Sequence, residues 1–344
     1  MPDALETIDN LTFTILVDNS IEWMTQLPPG FAHEVRTHLQ RDPPLDDVTG
    51  VPILDLPNFC CGAHGLSVLV ETRKGNQTRT MLFDTGPDGR AIERNLAGLK
   101  VDTSPIERVV LSHWHSDHTG GLLAFLSLLP ETARTSLVVD AHADRPTARG
   151  ILPPGATKVL ARLPADPTLT QIHDSGATLE LYHGTEGHTV LGGTVWVSGE
   201  IPRAFEYEDG LKGSVAWDVE KKEWAADELI RDERYIVMDI SGKGLVVFSA
   251  CSHAGICNVL KDVKTRFPAR PVHMVVGGLH LAGPELQYRV EPTVQYLKDE
   301  VRPDYVVPLH CTGFTTKVKL SEAFGERCVA AGTGIRVVVE ATLS

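Results

Sequence analysis

The sequence predicts a mixed α/β (α+β) chain of two β-sheets packed face to face, with helices on the outer faces. Two observations carry this. Runs of β-branched and aromatic residues recur along all 344 residues, separated by turn signals and by segments with apolar residues at helical spacing. The rhythm also occurs twice, each time with antiparallel strands first and β–α units after them. Two such halves pack as sheet on sheet with helices outside.

In the first half, residues 11–19 (LTFTILVDN) read as a strand that ends at Asp18-Asn19. Residues 64–72 and 78–86 read as a hairpin turned by the polar stretch RKGNQ. Residues 88–99 (DGRAIERNLAGL) form a helix opened by an acid. A buried strand at 106–113, a helix at 120–130 stopped by Pro130 and a strand at 135–143 follow. In the second half, 194–202 and 233–241 read as strands, and 243–253 as a strand ending in a polar cluster. Then come a helix at 254–267, a strand at 271–281, a helix at 284–300, a strand and turn at 303–313, a helix at 320–328 and a last strand at 334–343. Residues 22–62 are Pro-rich and irregular, and 144–172 show little periodicity; both read as surface insertions that form a lid or pocket wall. With no repeat, low-complexity tract or linker, residues 1–344 read as a single domain.

Composition excludes several functions. Apolar residues make up 42%, enough for a sizeable core. The net charge of −13, from 32 basic and 45 acidic residues, argues against nucleic acid as a partner, since phosphate binding needs clustered Lys and Arg. No stretch approaches the roughly 20 apolar residues that span a bilayer. The N-terminus has early acids and no apolar core of a secretory signal. The six cysteines are too sparse for a disulfide scaffold, which points to the cytoplasm and reduced thiols. A homodimer is compatible with these features.

The chemistry concentrates in VVLSHWHSDHTGG, residues 109–121. His113 and His115 alternate at the end of a strand and so point the same way. Asp117 and His118 turn the chain and offer two donors from another direction. Imidazole and carboxylate suit zinc or a similar divalent ion, and four donors so close fit two metals better than one. The bland alternative, exposed histidines at a helix start capped by Asp117, accounts poorly for the clustering.

SHWHSDHTGG (112–121) resembles the signature of the metallo-β-lactamase superfamily, and LFDTG (82–86) its second marker. SACSHAGICN (249–258), GGLHL (277–281), PLHCTG (308–313) and LVDN (16–19) are similar to the branch named after dihydropterin–ribofuranosylaminobenzene phosphate synthase. The markers run from residue 16 to residue 313. The resemblance implies an αββα sandwich with a dinuclear metal site at one edge. His113 and His115 would bind the first metal, Asp117 and His118 the second, and His310 would be the final ligand histidine. In many members an acid bridges the metals after the strand that here ends at Cys251; no carboxylate stands there. His253 would then complete the first metal's shell, with Cys251 beside it as a weaker candidate. Asp84 would orient a ligand histidine through its distal N–H. His280 would bind substrate or shuttle a proton, a buried core histidine being the alternative. His183 or His188 is a lesser candidate for a mid-chain ligand. Cys60, Cys61, Cys257 and Cys328 read as small apolar residues, and Cys311 as packing rather than catalysis.

The implied cofactors are two divalent ions, zinc first, with Mn2+ or Fe2+ as alternatives. The implied activity is hydrolysis of an ester, lactone, thioester or phosphate-type bond of an anionic or carbonyl-bearing small molecule, with Asp117 accepting the proton of water. One alternative is pterinylmethyl transfer with loss of diphosphate, to which Arg203 and Arg90 could contribute. Another is a non-catalytic metal- or ligand-binding module. A nuclease is disfavoured by the negative charge, and a flavodiiron oxidoreductase by the lack of a flavin module.

Overall fold

The computed structural model describes residues 4–153 and 155–342. The terminal residues of the single-domain reading, 1–3 and 343–344, lie outside them. Among the described residues, an eight-stranded sheet runs in the order Thr178–Tyr182, Val138–His142, Ile106–Val110, Gln77–Phe83, Ser67–Lys74, Asn10–Val17, Arg336–Glu340, Phe31–Ala32. A seven-stranded sheet runs His188–Val190, Val195–Val197, Tyr235–Ile240, Gly244–Ser249, Val272–Gly278, Tyr305–Leu309, with Thr7–Ile8 paired to Tyr235–Ile240. The expected division holds in both: Asn10–Val17, Ser67–Lys74 and Gln77–Phe83 are antiparallel, and the Gln77–Phe83, Ile106–Val110 and Val138–His142 strands are parallel. Likewise Tyr235–Ile240 and Gly244–Ser249 are antiparallel, while Gly244–Ser249, Val272–Gly278 and Tyr305–Leu309 are parallel.

The sheets face each other across a core that includes Phe13, Phe83, Met238, Phe248, Met274 and Val276. Phe13 meets Phe248 edge-on, with ring centroids 5.0 Å apart. Each such buried aromatic contributes roughly 1.5–3 kcal/mol of transfer free energy. On the first sheet's outer face, Gly89–Gly98 and Leu122–Leu128 bury Ile92, Leu96, Leu122 and Phe125 against Leu82 and Val109. Asp88 caps the former by accepting the N–H of Ala91 at 3.0 Å. On the second sheet, Ile256–Arg266 turns Ile256, Val259, Leu260 and Val263 inward, at helical spacing, onto Val247 and Val275. Helix, sheet, sheet, helix is therefore the observed layering.

Three details differ from the sequence reading. The 144–172 insertion is partly ordered into a third sheet, in which Arg149–Ile151 pairs with Ala161–Arg162 and with Ser214–Asp218, itself paired to Glu223–Ala226. These strands are too short to show a period in sequence. The 22–62 insertion holds a helix, Glu34–Gln40. The helix expected at 320–328 instead spans Phe314–Phe324; it starts straight after Gly313, whose positive φ of 84° hides the boundary.

Among the described residues, no helix is long and apolar enough to cross a membrane.

Parallel strands all end on one side, and here the ends of both parallel sets meet at one edge of the sandwich. Ligands in open α/β sheets gather at such carboxyl ends. Four non-glycine residues just past these ends hold left-handed backbone: Asp84 (φ 59°), Ser252 (60°), His280 (46°) and His310 (44°). Such conformations cost of order 1–3 kcal/mol each and persist where the surroundings over-determine them.

Candidate metal centre

The Ile106–Val110 strand delivers His113, His115, Asp117 and His118 to this edge. The chain turns there only because Gly120 and Gly121 have no side chains: a Cβ would stand 1.9 Å from the Pro87 carbonyl oxygen and 2.1 Å from that of Thr85. From the opposite sheet come Cys251 and His253, after Gly244–Ser249; His280, after Val272–Gly278; and His310 with Cys311, after Tyr305–Leu309.

Two groups of donors form. His113 Nε2, His115 Nδ1 and His253 Nε2 lie within 3.0–3.1 Å of one another. Beside them, Asp117 Oδ2 lies 3.2 Å from His310 Nε2 and 3.7 Å from His118 Nε2, which is 3.2 Å from Cys251 Sγ. The donors of Asp117, His118, Cys251 and His310 all fall within 4.8 Å, as do those of His113, Cys251 and His253.

The far side of each ring is held in a way that frees the near side. His118 Nδ1 donates to Asp84 Oδ2 at 2.8 Å. The same oxygen accepts the Ser112 hydroxyl at 2.7 Å, so the hydroxyl oxygen is left to accept His113 Nδ1 at 2.8 Å. Asn19 Oδ1 stands 2.9 Å from His310 Nδ1, and Asp18 Oδ1 accepts the His310 backbone N–H. Glu233 accepts the N–H groups of His253 and Ala254, fixing the turn that carries His253. Behind the 113–118 loop, Asp232 accepts the Trp114 N–H and pairs with Arg149, which also donates to the Trp114 carbonyl.

These residues fit divalent metal. Three buried ring nitrogens converge, and that of His113 brings no proton, since its Nδ1 gives the proton to Ser112. The far nitrogens of the other two rings, His115 Nε2 and His253 Nδ1, have no partner. Tetrahedral zinc, with Zn–N bonds of 2.0–2.1 Å, sets its nitrogens about 3.3 Å apart, close to the spacing here. Burial, and then the neighbouring imidazoles, holds His113 and His253 well below the ordinary histidine value, and burial together with Arg149 takes His115 to about 3. Neutral imidazole is the ligating form. His118 goes the other way: burial opposes its charge, but Asp117 and Asp84 outweigh burial and raise it to about 9.

Several residues stand elsewhere than the sequence suggested. Cys251, read as a weaker ligand candidate beside His253, presents its sulfur to both groups of donors, where the bridging acid was missing. His188 is not a mid-chain ligand: it pairs with Asp140 at 2.8 Å and stacks on Tyr182. His183 is exposed. Cys311 does not simply pack, for it lines the cavity 3.4 Å from Cys251 Sγ. Cys61 and Cys328 are only half-buried. His280 borders the cavity with its ring centroid 4.4 Å from that of His253.

The donors open into a cavity of about 920 Å³. Its walls include Ile151, Leu163, Leu211 and Phe314, with Lys212 and Lys317 at its rim. Arg90 and Arg203 do not line it; Arg203 donates to the Leu229 carbonyl instead. His64, 3.7 Å from Asp117, and both lysines escaped the sequence reading. Only Gly65 beside His64 hinted at a special turn.

Residues 62–200 match the family model of the metallo-beta-lactamase superfamily. In structure the chain is similar to a metal-dependent hydrolase of the beta-lactamase superfamily, with a TM-score of 0.66 and 21% identity, covering 96% of this chain and 99% of that one. In sequence it is 28% identical over 281 residues to the 7,8-dihydropterin-6-methyl-4-(beta-D-ribofuranosyl)-aminobenzene-5'-phosphate synthase of Methanocaldococcus jannaschii, covering 76% of this chain and 85% of the relative. An uncharacterised protein of the same organism is 27% identical over 260 residues, covering 75% and 88%.

Proposed function

We propose that this protein is a metal-dependent hydrolase that holds two divalent ions, zinc first among them: one through His113, His115 and His253, the other through Asp117, His118 and His310. The observation that carries this reading is the convergence of three buried histidine nitrogens at 3.0–3.1 Å, beside a second group in which the donors of Asp117, His118, Cys251 and His310 fall within 4.8 Å. When bound, such ions lower the pKa of water and polarise the electrophile's oxygen.

The chain's own residues do the rest. Asp117, partly exposed to the cavity, accepts the proton that the attacking water loses. His280 lines the cavity beside His253, where an imidazole not engaged by a cation can return a proton to the leaving group near neutral pH. Ile151, Leu163, Leu211 and Phe314 exclude water from an apolar substrate body, and Lys317 draws an anionic or carbonyl-bearing end, Lys212 being paired with Asp209 and Glu228. The substrate is then a small molecule with an ester, lactone, thioester or phosphate-type bond.

A second reading, pterinylmethyl transfer with loss of diphosphate, is supported by the likeness to the archaeal synthase. Of the two rim lysines, Lys317 is suited to a diphosphate, while Lys212 would first have to leave Asp209 and Glu228. Metal analysis of the purified protein, together with hydrolysis assays on ester, thioester and phosphodiester panels, tests the first reading. Bound metal with turnover of one panel is expected. A metal-loaded protein inert on every panel, yet releasing diphosphate from a pterin diphosphate, would overturn hydrolysis in favour of transfer.

A further inference from the structure

The Cys251 sulfur lies among the donors of both proposed ion positions, and it also lies beside Cys311 and His280, which neither position uses. Cys311 Sγ lies 3.4 Å from Cys251 Sγ, and both thiols are free. A donor nitrogen of His280 joins them, so that all three donor atoms fall within 4.8 Å of one another. Nδ1 of His280 is buried and has no partner. The sulfur of Cys311 has room there because residue 278 is glycine: a Cβ at that position would stand 2.7 Å from it. His280 is carried in by a left-handed turn with φ 46°, and His310, next to Cys311, by one with φ 44°. Two strained strand ends thus bring these donors together.

We propose that Cys251, Cys311 and His280 form a third, sulfur-rich cation position that shares the Cys251 sulfur with the dinuclear centre. The inference rests on the metal reading above. Tetrahedral zinc with Zn–S bonds of about 2.3 Å sets two sulfurs about 3.8 Å apart, against the 3.4 Å found here. A thiolate sulfur carries three lone pairs, so Cys251 can bridge. Binding a cation releases the two thiol protons to solvent and uses the lone pair of a neutral His280. The donor set fixes the class of ion. Two thiolates and an imidazole select zinc, cadmium or cuprous copper and reject Mg2+ and Mn2+, which the imidazole and carboxylate donors next door could still accept in the case of manganese.

The test uses the reduced whole protein, stripped of metal and titrated with Co2+, whose thiolate bonds absorb in the near ultraviolet. The wild type is expected to take up three equivalents. Cys311→Ser is expected to take up two, with a weaker thiolate band. A Cys311→Ser variant with the wild-type stoichiometry and spectrum would overturn the third position while leaving the dinuclear centre standing. Failure of the wild type to bind any cobalt would overturn both. A second measurement needs no variant: the alkylation rate of Cys311 in the wild type, followed by mass spectrometry. Zn2+ should protect Cys311 and Mn2+ should not. Equal rates with Zn2+, with Mn2+ and with no metal refute the proposal.

Discussion

On the first sheet, four donors come from one stretch of six residues, 113–118, turned by two glycines and clamped from behind by Asp232 and Arg149. On the second, His253, His280 and His310 arrive singly from three strand ends, and His280 and His310 are themselves in left-handed backbone. One side is preorganised by its own sequence neighbours and the other by long-range partners. His310, for example, is held by Asp18 and Asn19, nearly 300 residues away in sequence. A site built this way has one rigid jaw and one that depends on the whole fold. The left-handed turns store strain that only the packed sandwich can hold.

The largest effect should follow from striking the rigid jaw itself. His115→Ala removes one of three nitrogens that have no other partner, and loss of metal from that position together with activity is expected. Metal content and turnover measured on the same sample check this. Full activity in the variant would refute the assignment of the site.

Next comes the joint between the two jaws. Arg234, buried at the start of the Tyr235–Ile240 strand, reaches across to the first sheet. It bonds the Asp140 carboxylate at 2.7 Å and the Leu111 carbonyl at 2.5 Å. Arg234→Met leaves Asp140 without its most buried partner, and breaking a buried pair costs about 3–5 kcal/mol. Urea unfolding should show that loss. The pH dependence of stability should change with it. Burial alone would raise the Asp140 carboxyl, but Arg234 and His188 outweigh burial and hold it below the usual carboxylate value. A depressed carboxylate contributes stability that is present above its unfolded value of about 3.9 and lost as pH falls through the folded one. The wild type should therefore lose stability in acid, and the variant should lose less.

The same contrast explains what could be read in the sequence. The 113–118 motif was legible because its donors, its turn and its strand are contiguous. Its strand-and-helix surroundings were legible because the antiparallel-then-parallel rhythm repeats. His253 and His310 were found through resemblance, since a lone histidine after a strand has no local signature. Asn19 was seen only as part of a marker. Glu233, Arg149 and the rim lysines were not seen at all, because each acts on a partner that only the fold brings near. Cys251 and Cys311 were undervalued for the same reason, as nothing in either short segment places one sulfur beside the other. The third sheet stayed hidden because strands of two to five residues cannot establish a period.

The finest test compares the two ways of orienting a ligand histidine. Asp84 is a charged acceptor fixed by three donors: the Ser112 N–H, the Ser112 hydroxyl and His118 Nδ1. In Asp84→Asn, an amide oxygen can satisfy one side of this set, but the NH2 group meets donors on the other. The tautomer of His118 or the link to His113 must then give way. Losses of outer partners of this kind cost roughly 10–100-fold in metal affinity. Asn19, by contrast, is a neutral partner of His310 at an exposed position. Asn19→Ala removes the hydrogen bond to His310, worth about 1 kcal/mol or roughly fivefold in affinity, together with those to the Gly65 N–H and His64 Nδ1. Competition with a chromophoric chelator would measure both variants. If Asn19→Ala proved as damaging as Asp84→Asn, then the dispersed jaw, rather than the contiguous one, would be setting the affinity of the centre.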